Sequence, residues 1–247
     1  MDRAFDSVMS DFRQPWEHFA EMDPYLSILA GGKRVDPQSF WQRGEQIVEG
    51  ELLPLLRVHG IRLGLRMELG CGIGRLALPL ARHFRKVLGV DIAQVTVQRA
   101  ASFARDNGIK NTAFLSIYGP EDFLQKMGRY IGSFDLIFSL LVFQYIPDFS
   151  MIEGYLHVVR VLLQERGLAY LQFDTRPKDS LYRWKNRLPD FLLPRFSPRG
   201  IRQIRRSPEE IELCSGLAGM KIVGELYRRT AHHRYILRPA QRPVSFK

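Results

Sequence analysis

The hydrophobic pattern of the chain changes character near residue 60. Before that point, apolar residues recur at helical spacing in SVMSDFRQPWEHFAEM and in SFWQRGEQIVEGELLPLLRVHG, and Asp36-Pro37-Gln38 has the composition of a helix start. After it, short apolar runs of strand type stand at 65–69, 86–90, 112–117, 134–140 and 167–173. Helix-like segments separate these runs, including RLALPLARHF, VTVQRAASFARDNG and SMIEGYLHVVRVLLQERG.

This alternation predicts the fold class. Nearly continuous apolar strands between helices indicate a mostly parallel sheet that is covered on both faces. The segments MKIVGELYRR and RYILRP predict an antiparallel hairpin near the end of the chain. We therefore predict an α/β fold with a doubly wound, mostly parallel, seven-stranded sheet of Rossmann-like type. Residues 1–60 would form an N-terminal helical cap and residues 61–247 the sheet domain.

One segment, residues 174–206, interrupts the alternation. It follows the fifth predicted strand and is too long for an ordinary connection in such a fold, so we interpret it as an insertion. The residues after it, Ser207-Pro208-Glu209-Glu210, form a capping-box pattern and predict the start of a helix at Pro208.

Composition and charge narrow the classes of partner. The chain has 36 Lys and Arg against 26 Asp and Glu, a net charge of +10 and a pI near 9.9, which favours phosphates, nucleic acid or anionic membrane surfaces. Two cysteines are too few for a disulfide framework and fit a reducing compartment. The first residues do not predict a signal peptide, and no run approaches the ~20 apolar residues that span a bilayer. We expect a cytoplasmic protein with no membrane partner.

A glycine-rich run, RMELGCGIGR at 66–75, lies where the first strand turns into a helix. Glycines adopt positive φ readily and allow a ligand to approach the backbone, and ligands of open α/β sheets bind at such strand ends. The second strand ends at Asp91, where an acid is placed to accept hydrogen bonds from the ribose of an adenosine group. The two features together predict an adenosine-containing cofactor.

The spacing of the glycines argues against two common nucleotide sites. A dinucleotide fingerprint needs a small residue where Arg75 stands, and the third glycine, Gly74, comes one residue early. No Gly-Lys-Ser/Thr follows, so the run is not a P-loop. A nicotinamide-dependent oxidoreductase is therefore disfavoured, whereas a non-catalytic relative that binds a cofactor stays open.

These residues resemble the class I S-adenosylmethionine-dependent methyltransferases, of the bacterial small-molecule type. Residues 68–74 match the acidic-x-G-x-G-x-G motif of that family, and Asp91 matches its ribose-binding acid. Residues 134–139 look like its fourth-strand motif, and Val142-Phe143-Gln144-Tyr145-Ile146-Pro147 is similar to its VLQHIP variant. A weaker likeness covers 23–25 and 40–45, which resemble a leader whose helices lie over the cofactor.

The resemblance implies an enzyme that uses S-adenosylmethionine and releases S-adenosylhomocysteine. Asp91 would hold the ribose, Ile92 would pack on the adenine, and Arg43 would pair with the methionine carboxylate or, with equal weight, be an ordinary exposed helix arginine. In the place of the family's acid after the third strand stands Tyr118-Gly119-Pro120, with Glu121 and Asp122 slightly later. Whether one of these acids or a backbone group contacts the adenine is left open. The implied cofactor-binding residues are Glu68, Gly70, Cys71, Gly72, Gly74, Asp91, Ile92, Ser139, Gln144 and Arg43.

The catalytic residues are not assigned by the sequence. Methyl transfer is an in-line displacement that depends chiefly on positioning, and a hydroxyl or ammonium acceptor also needs a base. Tyr145, Asp174, His232 and His233 are candidates, but none has a supporting spacing. No His, Cys or acidic cluster indicates a metal site.

The basic insertion is the best indication of the acceptor. It has ten Lys and Arg against three Asp, interleaved with Tyr182, Trp184, Phe191 and Phe196. It is typical either of a lid that recognises a small anionic, nucleotide-linked or sugar-type acceptor, or of a solvated basic face. RNA is a further alternative, since cations and aromatics together can follow a nucleic-acid strand, although no RNA-binding module is visible. We expect a small anionic acceptor, with Lys185, Arg202, Arg205 and Arg206 as its contacts.

Overall fold

A computed structural model describes residues 3–25, 36–61, 64–187 and 201–240 of the chain. The N-terminal part consists of helices α1 (Arg3–Met22), α2 (Pro37–Ile47) and α3 (Leu53–Val58), with a π-helical turn at Val48–Leu52 between the last two. Helix α2 begins as predicted, because the Asp36 carboxylate accepts the Ser39 N–H at 2.8 Å and Pro37 occupies the first turn.

Strands and helices alternate from residue 65 onwards. The strands are β1 (Leu65–Leu69), β2 (Lys86–Asp91), β3 (Thr112–Ser116), β4 (Phe134–Ser139), β5 (Leu163–Phe173), β6 (Met220–Leu226) and β7 (His233–Pro239). The helices are α4 (Ala77–Ala81), α5 (Gln94–Asp106), α6 (Pro120–Met127), α7 (Phe149–Leu162), α8 (Ser180–Arg187) and α9 (Pro208–Leu217). The capping box at Ser207 and Glu210 is present at the start of α9, as predicted.

The seven strands form one sheet in the order β3-β2-β1-β4-β5-β7-β6. The first five strands of this order are parallel, and β7 is antiparallel to both β5 and β6. The predicted doubly wound, mostly parallel sheet with an antiparallel hairpin is therefore confirmed. Because the strand order reverses beside β1, the chain continues from β1 and from β4 to opposite faces of the sheet, which leaves a crevice for a ligand at their carboxyl ends.

One predicted boundary is wrong. The sequence SMIEGYLHVVRVLLQERG predicted a helix up to residue 167, but α7 ends at Leu162 and β5 begins at Leu163. Leu163 pairs with Phe134 of β4, and the Gln164 amide donates to Asp135. Gly167 lies against the Phe134 carbonyl, where a Cβ atom would come within 2.8 Å of its oxygen. These contacts across the sheet override the helical pattern.

Apolar side chains fill both faces of the sheet. On one face, Val48 and Leu52 from the N-terminal helices are fully buried against Phe138 and Tyr170. Beside them, the Tyr170 hydroxyl and the Arg234 guanidinium both contact the Glu51 carboxylate. Among the described residues, none of the helices has the length and apolarity that crossing a bilayer would require.

Candidate functional site

A cavity lies at the carboxyl ends of β1, β2 and β4, where the strand order reverses. Its walls come from the glycine turn, the end of β2, the loop after β4 and three helices. The lining residues are Trp16, Leu69, Gly70, Gly72, Asp91, Ile92, Ala93, Thr96, Ile117, Leu140, Leu141, Val142, Tyr145, Ile146 and Tyr155. Most of them are apolar, so the cavity suits a ligand with a flat apolar part and a few fixed polar groups.

The glycine turn has the geometry that its sequence predicts. Gly70, Gly72 and Gly74 have φ values of 78°, 51° and 87°, in the left-handed region that other residues rarely adopt. The N–H of Gly70 donates to the Val90 carbonyl at 2.7 Å, which fixes the turn to β2. A Cβ atom on Gly70 would stand 2.1 Å from the Val142 Cγ2, so this position has no room for a side chain.

Asp91 joins the glycine turn to the turn after β2. Its Oδ2 accepts the Gly72 N–H at 2.7 Å and its Oδ1 accepts the Ala93 N–H at 3.0 Å. Burial raises the pKa of this carboxyl, and the two backbone donors act in the opposite direction. A carboxylate has about four acceptor positions, so further ones remain for hydroxyl groups in the cavity.

Glu68 and Arg75 lie behind the turn rather than in the cavity wall. Glu68 is buried, accepts the Ala77 N–H, and has one oxygen with no hydrogen-bond partner among the described residues. Burial raises its pKa to about 8, while the nearby Arg75 charge lowers it. Arg75 is also buried and lies over the Phe40 ring, with 5.6 Å between the guanidinium carbon and the ring centroid.

Helix α2 packs directly on this arginine. A Cβ atom on Gly44 would come within 2.3 Å of the Arg75 carbonyl oxygen, so the glycine permits the close approach. Arg43, the preceding residue, is exposed and does not line the cavity. Its predicted pairing with a methionine carboxylate stays a prediction.

Four other predicted site residues lie next to the cavity without lining it. Ser139 is fully buried and donates from its hydroxyl to the Leu69 carbonyl at 2.7 Å, which ties β4 to β1. The Gln144 side chain accepts from the Gln172 amide at 3.2 Å. Cys71 is buried with its sulfur towards β2, where a Cβ atom on Gly89 would be 2.8 Å from it. Gly74, likewise, packs against Leu78 of α4. Of the ten predicted residues, the cavity wall contains Gly70, Gly72, Asp91 and Ile92.

The resemblance implied that N-terminal helices lie over the cofactor, but Trp16 and Glu17 of α1 were not among the predicted site residues. The Trp16 ring lines the cavity and meets the Tyr145 ring edge-on at a centroid distance of 5.1 Å. The next residue, Glu17, accepts the N–H groups of Gln94 at 2.7 Å and of Val95 at 3.1 Å. Glu17, which belongs to α1, thus caps the first turn of α5. A negative charge is stabilising at the N-terminus of a helix. No local sequence signal connects positions 17 and 94.

The side of the cavity formed by Ile92, the residue predicted to pack on an adenine, is apolar. Ile92, Ile117 and Tyr155 line it, and the last two were not among the predicted site residues. Asp122, an acid considered for this side, instead accepts the Tyr118 N–H at 2.8 Å and pairs with Lys126 at 2.9 Å. Glu121 is exposed and also lies outside the lining. Neither acid faces the cavity.

The four candidate bases are in different surroundings. Tyr145 lines the cavity, and burial raises the pKa of its hydroxyl. Asp174 is buried and is held by the Arg176 guanidinium at 2.7 and 3.0 Å. His233 is buried between Thr175 and Glu225, at 2.7 and 2.9 Å, and burial lowers its pKa. His232 contacts the Gln172 amide. Only Tyr145 of these four is in the cavity wall.

The described part of the basic insertion uses several of its cations internally. Arg205 pairs with Asp179 at 3.1 Å and lies over the Tyr182 ring at 4.5 Å. The Arg206 guanidinium donates to the Ile146 carbonyl at 3.3 Å, and its backbone N–H donates to the Asp174 carbonyl at 2.9 Å. These bonds attach the end of the insertion to the loops beside the cavity. Residues 188–200 of the insertion lie outside the described residues.

Comparison with known proteins gives this site a family context. Residues 67–169 match a family model described as a methyltransferase domain. An uncharacterised RNA methyltransferase from Nostoc is 36% identical over 112 residues, which are 42% of this chain and 23% of that protein. The ubiquinone biosynthesis O-methyltransferase of Escherichia coli is 29% identical over 113 residues, 41% of this chain and 45% of that protein. The matches span less than half the length of these curated relatives.

Solved structures share the fold over most of the chain. Magnesium protoporphyrin IX methyltransferase from Synechocystis, with bound S-adenosylhomocysteine, aligns with a TM-score of 0.60 at 22% identity, over 96% of this chain and 99% of that chain. An S-adenosylmethionine-dependent methyltransferase from Anabaena variabilis aligns with a TM-score of 0.61 at 20% identity, over 92% and 94% of the two chains. At these identities the likeness concerns the fold.

Proposed function

We propose that this chain is a class I S-adenosylmethionine-dependent methyltransferase, as its motifs predicted and as the match of residues 67–169 to a methyltransferase domain supports. It transfers the methyl group of that cofactor to a small acceptor held beside Tyr145. The cofactor supplies an electrophilic methyl group on a sulfonium, and the protein's own residues bind, orient and exclude water. The observation that supports this proposal best is the clamp between the Gly72 N–H and the Asp91 carboxylate at the cavity wall.

The residues present fit the cofactor. Gly70 and Gly72 line the cavity and can present backbone to the amino-acid and ribose parts, while Asp91 has acceptor positions left for ribose hydroxyls. Ile92 and Ile117 offer apolar surface for the adenine. We propose that Ser139, Gln144, Cys71, Gly74 and Glu68 act behind the wall, by keeping the turn and the ends of β1 and β4 in place.

We propose that Tyr145 orients the acceptor instead of removing its proton. Burial raises the pKa of this hydroxyl, so it stays protonated at neutral pH and donates a hydrogen bond. The Trp16 ring against it makes this side of the cavity aromatic, which favours an acceptor with a planar apolar body. Arg205 and Arg206, predicted to recognise an anion, already have carboxylate and carbonyl partners. The structure therefore supports a small apolar acceptor better than an anionic one.

Methyl transfer to RNA is the second candidate. It is favoured by the net charge of +10 and by a relative that is 36% identical and is described as an RNA methyltransferase. These positive charges would attract the phosphate backbone of an RNA irrespective of its base sequence. The two candidates differ in the size of the acceptor and in their response to salt.

The test has two stages. Calorimetry with S-adenosylhomocysteine measures the cofactor site in the wild type, in Asp91→Asn, and in Asp106→Asn as a control at an exposed acid on α5. We expect at least about tenfold weaker binding in Asp91→Asn, because hydrogen bonds to a charged group contribute about 1.5–3 kcal/mol each, and wild-type binding in the control. Equal affinities in all three would contradict the assignment of Asp91.

The second stage identifies the acceptor. Methyl-labelled cofactor is incubated with the protein and either a small-molecule or an RNA fraction of a cell extract, and labelled products are separated by mass. We expect label in the small-molecule fraction, and a reduced rate in Tyr145→Phe with unchanged cofactor affinity. Label confined to RNA would select the second candidate, and cofactor binding without label in either fraction would indicate a non-catalytic relative.

A further inference from the structure

Helix α8, in the basic insertion, has two large apolar side chains on its outer side. Leu181 and Trp184 are each 59% exposed, and their spacing of three residues places them on one face of the helix. Single exposed apolar residues are normal on protein surfaces. A leucine and a tryptophan side by side on a helix of eight residues form a small continuous apolar patch instead.

The opposite face of α8 attaches the helix to the rest of the molecule. The Tyr182 hydroxyl accepts the Arg205 N–H at 3.0 Å, and the Arg205 guanidinium covers the Tyr182 ring. The Asp179 carboxylate accepts the Tyr182 N–H at 2.7 Å at the start of the helix. These contacts fix the rotation of α8 about its axis, so that Leu181 and Trp184 point away from the protein.

Two arginines accompany the apolar pair. Arg183 and Arg187 are exposed, four residues apart, and neither forms an ion pair with any residue that the structure describes. They differ in this from Arg176, Arg205 and Lys178, which have carboxylate partners. No carboxylate among the described residues neutralises their charge, which contributes to the net charge of +10.

We propose that the outer face of α8 docks the chain onto an anionic membrane surface. A helix that combines a leucine and a tryptophan with arginines is suited to the interface of a bilayer, where the apolar pair enters the acyl boundary and the guanidinium groups meet lipid phosphates. An RNA strand would use the same arginines and stack on Trp184, but it offers nothing to Leu181. This proposal departs from the sequence-based prediction of no membrane partner, and the vesicle experiment decides between the two.

The docking surface is tested by sedimentation of the full chain with vesicles, in the absence of cofactor and acceptor. One set of vesicles is phosphatidylcholine, and the other contains equal parts of phosphatidylcholine and phosphatidylglycerol. We expect binding to the second set that weakens as salt is raised. Arg183→Gln/Arg187→Gln should reduce it about 30-fold, since each cation near an anionic surface contributes about 1 kcal/mol, and Leu181→Ser/Trp184→Ser should reduce it at least about tenfold.

Matched controls separate the surface from general effects of charge and apolarity. Leu213→Ser/Leu217→Ser changes two residues of α9 that are 58% and 59% exposed, and Arg57→Gln/Arg85→Gln removes two exposed charges elsewhere. Both should bind vesicles like the wild type. Brominated lipids should quench the fluorescence of the wild type more than that of Trp184→Phe. The proposal would be overturned if the α8 variants and the control variants lost vesicle binding equally. It would also be overturned if the chain bound RNA but not vesicles, or if brominated lipids quenched Trp184→Phe as strongly as the wild type.

Discussion

The close contact between Gly70 and Val142 gives a sharp prediction about the glycine turn. Replacing Gly70 by alanine puts a Cβ atom at a φ of 78° and 2.1 Å from the Val142 Cγ2. The first effect is backbone strain, and the second is a collision with the loop after β4. A glycine at which strain acts alone is needed to separate them. Gly108 provides it, because its φ is 66° and a Cβ atom there would have nothing within 4 Å.

The free-energy costs of the backbone strain and of the collision can be estimated separately. A left-handed conformation costs a residue with a Cβ atom about 1–2 kcal/mol, and overpacking a filled site adds about 1–3 kcal/mol. We therefore expect Gly108→Ala to lose about 1–2 kcal/mol of unfolding free energy and Gly70→Ala about 2–5 kcal/mol. At about 2–4 °C for each kcal/mol in a chain of this size, Gly70→Ala should melt about 4–20 °C below the wild type.

Urea and thermal unfolding measure these differences, and a double variant identifies their cause. Val142→Ala removes the two methyl groups that the new Cβ atom would meet. Gly70→Ala/Val142→Ala should therefore lose less than the sum of its single variants. Calorimetry with S-adenosylhomocysteine should show weaker binding in Gly70→Ala and wild-type binding in Gly108→Ala, because only the first glycine lines the cavity.

The result that refutes this reasoning is a Gly70→Ala variant that is no less stable than Gly108→Ala. It would mean that the loop after β4 moves away freely, and that the contact with Val142 does not shape the turn. Additive losses in the double variant would lead to the same conclusion. Weak cofactor binding in both glycine variants would instead indicate a general loss of structure.

Three further predictions concern residues around the site. Glu17→Ala leaves two N–H groups of α5 without their acceptor, so we expect a loss of about 1–2 kcal/mol in thermal unfolding and faster hydrogen exchange in α1, with the exposed Glu21→Ala as a control. Asp135→Asn leaves the fully buried Arg66 without its charged partner at 2.6 Å and should lose about 3–5 kcal/mol in urea unfolding, whereas the exposed Glu165→Gln should lose little. The raised pKa of Glu68, about 8 against 4.5 for an ordinary glutamate, means that the folded state favours the protonated acid. The wild type should therefore lose stability relative to Glu68→Gln as pH rises from 5 to 8, by on the order of a few kcal/mol, and parallel curves of unfolding free energy against pH would contradict the raised pKa.

Much of the architecture could be predicted because its signals are local. Leu88 and Val90 belong to a continuous apolar run, as a strand buried on both faces requires. Asp36 and Ser207 cap helices with partners three residues away, and such pairs are visible in the sequence. The positive φ of Gly70 follows from the turn between β1 and the next helix.

The remainder depends on contacts between distant parts of the chain. Nothing in the sequence distinguishes Glu17 from the other acids, because its role as a cap depends on the packing of α1 on α5. Trp16 reaches the cavity through the same packing. Arg75 occupies the place where another nucleotide site has a small residue, but only the structure shows that Phe40 and Gly44 of α2 enclose it. The early start of β5 at Leu163 depends in the same way on its pairing with Phe134.

The N-terminal helices and the sheet share one hydrophobic core, and this core determines which part of the chain unfolds as one unit. The family match begins at residue 67 and ends at residue 169, yet the Arg66 that neutralises Asp135 lies before it. Glu51, Tyr170 and Arg234, which form one cluster, are three residues that all lie outside it. A fragment cut at the limits of homology would lack the part of this core that the N-terminal helices supply, including Val48 and Leu52. We therefore expect the segment that carries the family signature to be smaller than the smallest fragment that folds cooperatively.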